Sequence, residues 1–164
     1  MKWILAILAA MGIAALVFLQ MHSVKTTYVN GLAPYTSLPG LEFIVERDCY
    51  IFKFKEHDTD WPLLGAVDTV PDLPAEVKAS NVGAEFPKVR ILDVVRVGER
   101  FRIVSVRRDV SRSETRVTFE VLLQDESTRK YPRVDAYWIL DHSPEKTGGA
   151  PKVLAAYAVP LRRD

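Results

Sequence analysis

The chain has 164 residues, 48% of them hydrophobic and 26% charged, with a formal net charge of +1. That leaves room for one hydrophobic core and hardly for two. The near-zero charge excludes a domain that gathers nucleic acid or anionic lipid through a global field. Cys49 is the only cysteine, which excludes an internal disulfide framework.

Residues 3–21, from Trp3 to Met21, carry no charge, and Gln20 is their only strongly polar side chain. As a helix the run would extend about 28 Å at ~1.5 Å per residue, close to the ~30 Å of a bilayer's hydrocarbon core. A helix satisfies its own backbone groups, so residues 1–22 are expected to form a transmembrane signal anchor. A cleaved signal peptide is the rival, but its apolar region is shorter and ends at a small-x-small site. Leu19-Gln20-Met21-His22 offers none. Lys2 before the run, against Lys25 and His22 after it, orients the remainder outside the cytosol by the positive-inside rule. The expectation is a single-pass protein of a bacterial inner membrane with its C-terminal domain in the periplasm.

Residues 23–40 contain Asn30-Gly31, Pro34 and Pro39-Gly40, which disfavour regular structure. They suit a juxtamembrane linker or an ordered coil wrapping the domain at 41–164. Strands are predicted at 41–45 and 50–55. In the second, Tyr50, Phe52 and Phe54 alternate with Ile51, Lys53 and Lys55, the pattern of one buried face. Residues 56–88 are irregular, with one short helix predicted over 73–79 behind Asp72 as N-cap. Strands follow at 89–95, 101–107 and 115–124, the last two forming a hairpin. Further strands are predicted at 133–140 and 153–159. The fold class is mainly β: a small bent sheet or barrel of SH3-like or OB-like size.

Functional signals are weak. His57, Asp58, Asp60 and Trp61 form a candidate ligand loop, yet Asp58-Thr59-Asp60 lacks the glycine and distal glutamate of a calcium loop. Asp141-His142-Ser143 assembles hydrolase residue types, but triads meet through the fold and not as neighbours, and no Gly-x-Ser-x-Gly elbow exists. From Lys88 to Arg116 nine basic residues face four acidic ones. Arg96, Arg100, Arg102, Arg107, Arg108 and Arg112 are therefore a candidate surface for an anionic partner, with hydrophilic outer strand faces as the plainer alternative. Phe101 and Phe119 fall on core-facing positions, so no stacking platform for nucleic acid is expected. Trp61, Trp138, Tyr131, Tyr137 and Tyr157 either line a groove or pack as core. Cys49, in Cys49-Tyr50-Ile51-Phe52, is expected as a small buried hydrophobe.

No catalytic residue, metal site or cofactor is expected. The leading expectation is a membrane-anchored, non-enzymatic domain that binds an envelope protein or assists assembly. The alternative is a ligand-binding or sensing module with its site under the 56–88 segment, and a hydrolase ranks third.

Overall fold

The computed structural model of the chain describes residues 11–13, 24–56, 61–111, 113–124 and 129–161. The domain is mainly β. Its strands are β1 Lys25–Tyr28, β2 Glu42–Val45, β3 Cys49–Phe54, β4 Leu63–Gly65, β5 Val89–Val95, β6 Arg100–Val110, β7 Thr115–Leu123, β8 Arg133–Asp135, β9 Leu140–Asp141, β10 Lys152–Val153 and β11 Ala158–Pro160. The main sheet runs β11-β2-β6-β7-β8-β4-β3-β5, with β1 also paired to β6, while β9 and β10 form a small separate ladder. The sheet is mixed: β4 meets β8 in parallel through Leu63 and Asp135, and the other ladders are antiparallel.

Two apolar clusters lie on opposite faces of this sheet. Ile103, Phe119, Val121 and Val134 lead the first, with Val45 and Ile51; Phe52, Val70, Leu73, Val77 and Ile91 lead the second. β3 stands between them, so Cys49 to Phe52 are all buried. The one-sided alternation expected there gives way because residues 66–77 cover the face that would otherwise meet water. That same covering role replaces the helix expected over 73–79. Leu73 and Val77 are anchored in the second cluster and the backbone turns by Val77 N–H to Pro74 O, too short a stretch to repay helix nucleation. The regular element here is a 3-10 turn at Ala79–Asn81.

The predicted strand over 133–140 is broken. The Asp135 carboxylate accepts the Tyr137 N–H at 2.9 Å, a local turn that competes with the ladder, and Tyr137–Ile139 form a 3-10 turn. The last predicted strand, 153–159, is likewise split between β10 and β11. Residues 24–40, for which a spacer and an ordered coil suited the sequence equally, run along the domain. β1 pairs with β6, and Val29 and Tyr35 enter the first cluster.

The run expected to cross a membrane lies outside the described residues except for 11–13. These three are helical, and Met11 and Ile13 are exposed. Among the described residues no helix is long and apolar enough to cross a membrane.

Gly65 shows how tightly the second cluster meets the sheet. A Cβ there would lie 2.5 Å from Val70 Cγ2, 3.0 Å from Trp138 Cβ and 3.1 Å from Phe52 Cε1. Gly65→Ala should therefore cost about 1–3 kcal/mol by overpacking. Adding Val70→Ala removes the nearest clash, so the double variant should lose less than the two single losses summed. Chemical denaturation of the four-member cycle reads this directly, and strict additivity would refute the contact.

A cleft beside the second core as candidate functional site

β6 and β7 form a hairpin whose distal half projects past β2 and β8 and gains β1 on its outer side. A β-bulge between Ile103 and Ser105 resets the alternation of β6. Before it Phe101 and Ile103 face the first core; after it Val106 does. Strict alternation would have turned Arg107 and Asp109 into that core, and the bulge aims them at the opposite face instead. Tyr28, Thr118 and Arg107 form one cross-strand row there, and Thr26, Asp109 and Arg116 the next.

This face is one wall of a cleft of about 860 Å3. The other wall carries Phe54, Leu63 and Trp138, with Trp61 at the rim and Tyr137 below. The aromatic wall is held edge to face: Phe52 to Phe54 at 5.4 Å, Phe54 to Trp138 at 6.1 Å, Tyr137 to Trp138 at 5.5 Å. The Arg116 guanidinium lies 4.5 Å from the centre of the Tyr137 ring, and His142 stacks near the same ring at 4.4 Å. Lys88 and Asp72, both in the lining, pair at 2.8 Å. Val24, Tyr28 and Trp61, three large apolar side chains left 59%, 57% and 39% exposed, all border this cleft.

The floor is an ionic network. Arg107 donates from Nε to Asp109 at 3.1 Å and from Nη2 to Asp135 at 2.8 Å. Thr26 donates to Asp109 at 2.8 Å. Asp135 also accepts Thr118 Oγ1 and the Tyr137 N–H. Burial pushes the Asp135 carboxyl above the ordinary carboxylate range, against the opposing pull of Thr118, the Tyr137 N–H and Arg107. With both oxygens of each carboxylate occupied, the network holds β1, β6, β7 and β8 in place.

The sequence candidates scatter over this structure. Trp61 borders the cleft; His57, Asp58 and Asp60 lie outside the described residues. Arg96 is exposed beyond β5. Arg100 and Arg102 line a shallow depression of about 270 Å3 with Glu42 and Leu122. Arg107 is in the cleft floor, and Arg108 lies against Tyr35, 5.9 Å from its ring centre. Arg112 lies outside the described residues. Glu120, bonded to Ser105 at 2.6 Å and 3.5 Å from Arg133, separates the Arg102 end from the Arg107 end.

The hydrolase residue types do not converge. His142 directs Nδ1 to Glu145 at 2.5 Å, and its Nε2 lies 3.3 Å from the Tyr137 carbonyl. Ser143 instead donates to Asp141 at 2.6 Å, and these bonds hold the Asp141 carboxyl below its ordinary range. Cys49 is buried, and burial, foremost, pushes its thiol up to about 12, the reverse of an activated nucleophile. Among the described residues no cluster of three or more His, Cys, Asp or Glu side chains could hold a metal ion. Asp109, Asp135, Glu114 and Arg116 were missed as cleft residues. The one sequence cue was the shift of apolar parity from Phe101 and Ile103 to Val106. No family model matches the chain, and no curated protein or solved structure matches it.

Proposed function

We propose that the chain is a membrane-tethered, non-catalytic binding domain whose working surface is the cleft. The observation that carries this reading is the cleft itself, which Glu56, Trp61, Leu63, Asp72 and Lys88 help to line, with an aromatic wall facing a polar one. Its volume falls in the ~300–1,000 Å3 range of ligand sites, and its rim leaves Val24, Tyr28 and Trp61 exposed, as a surface awaiting a partner does. The ligand-binding reading thus moves ahead of a general assembly role, with an envelope protein as the partner. The tether is inferred from the apolar run at 3–21, and the helical state and exposure of residues 11–13 support it. The positive-inside rule supports a domain outside the cytosol, which for a bacterial inner membrane is the periplasm.

The bent sheet is read as a small barrel of SH3-like or OB-like size, incompletely closed between β5 and β11. In support, Gly98 N–H to Val45 O and Val45 N–H to Glu99 O, both 2.8 Å, draw the β5–β6 turn onto β2.

A photo-crosslinking residue at Trp61, compared with one at Arg102 on the separate depression, tests the reading in intact membranes. Discrete adducts are expected from position 61 and not from 102, in a membrane fraction that resists alkaline carbonate. Equal labelling from both positions, or none from 61, sinks the cleft; release by carbonate sinks the tether.

A further inference from the structure

We infer that the cleft takes an extended peptide, with basic residues at alternate positions, which adds as a strand to the free edge of β1. This rests on the cleft being the working surface. Val29 N–H donates to Val106 O at 3.0 Å, which fixes the phase of the β1–β6 ladder. In antiparallel pairing hydrogen-bonded pairs alternate, so Lys25 and Thr27 spend their backbone groups on Val110 and Arg108. The N–H and C=O groups of Thr26 and Tyr28 then point away from β6. Among the described residues no strand pairs with that edge, and all four β1 residues are exposed. A bare edge without proline or bulge is a template for another strand.

The side chains of Thr26 and Tyr28 face the cleft. A strand laid along β1 therefore turns alternate side chains toward the same space. Among the described residues the cleft lining carries three basic and five acidic side chains. Lys88 pairs with Asp72, Arg116 with Glu114, and the Arg107 guanidinium alone serves both Asp109 and Asp135, so a lining that also holds aromatic rings carries a formal excess of two acidic groups. That combination favours ammonium or guanidinium groups on apolar stems. The site also has an address. Only residues 22–24 separate Met21 from Lys25, and at ~3.3–3.6 Å per residue they hold β1 within about 15 Å of the end of the apolar run. The partner segment is accordingly one that lies near the membrane surface on the domain's side of the membrane.

The test uses the full chain in detergent with octapeptides alternating threonine with lysine, glutamate or valine. Amide hydrogen exchange at Thr26 and Tyr28 is followed beside the already bonded Lys25 and Thr27, together with tryptophan fluorescence from Trp61 and Trp138. The lysine peptide should slow exchange at Thr26 and Tyr28 at least about tenfold, bind about tenfold tighter than the glutamate peptide, and lose both effects when N-methylated at alternate residues. A fluorescence response without amide protection overturns strand addition and leaves the cleft reading standing. Equal protection by the glutamate peptide overturns the selection for basic residues. No response to any peptide overturns the inference, and the crosslinks from position 61 then decide the cleft reading separately.

Discussion

Arg107→Met should cost about 3–5 kcal/mol of folding stability, because it leaves two largely buried carboxylates without their shared cation. The Arg107 side chain is 17% exposed, Asp109 17% and Asp135 7%, so solvent screens the lost attraction little. The loss should also depend on pH. Burial already raises the Asp135 carboxyl above its ordinary value, so the folded chain holds that proton to higher pH than the unfolded chain. Its contribution to stability is therefore complete below the ordinary Asp range and fades as pH rises through the raised folded value. Arg107 opposes that rise; without it the carboxyl shifts further up and the fade becomes larger. The deficit of the variant against wild type should narrow in mild acid, where the Asp135 carboxylate takes up its proton. Arg107→Lys keeps the charge but not the fork that reaches both partners, and should fall between. Urea denaturation at neutral and mildly acid pH measures all three. A deficit that is small and flat with pH would mean the network contributes nothing.

The second large effect is expected at Phe52. It is fully buried in the second cluster, packs edge to face with Phe54, and lies under the backbone at Gly65. Phe52→Ala should cost about 3–5 kcal/mol through lost burial and a cavity, whereas Phe52→Leu should lose about 1.5 kcal/mol or less. Because Phe54 in turn contacts Trp138, the alanine variant should also loosen the aromatic wall and shift Trp138 emission to the red while the chain is still folded. Loss of stability with unchanged native-state emission would show that the wall is held by other contacts.

The parts of the fold that sequence reading recovers are those whose stabilisation is local in pattern. β5, β6 and β7 carry apolar residues at period two, and Cys49 sits in an apolar run, so their burial could be read from neighbours. β1 could not: Lys25-Thr26-Thr27-Tyr28 has no buried face, and its strand conformation comes from β6. The floor of the cleft was hidden for the same reason, since Arg107 and Asp135 stand 28 positions apart and meet only through β7. The arginines of 88–116 form one run in sequence, whereas carboxylates and rings divide the described ones among separate contacts in space. The irregular 56–88 segment looked like a loop because Pro71 and Pro74 interrupt the i, i+3, i+7 spacing of its apolar residues Val70, Leu73 and Val77. Its regularity lies in the surface it covers.

The bulge near Val104 has a consequence for how the chain tolerates change. Upstream of it the odd-numbered Phe101 and Ile103 enter the first core; downstream the even-numbered Val106 does, and the odd-numbered Arg107 and Asp109 join the ionic network on the other face. Losing a single residue there would do more harm than exchanging several. It would wind the outer half of the ribbon over by one step, driving a guanidinium and one of its two acids into oil and pushing Val106 out into water.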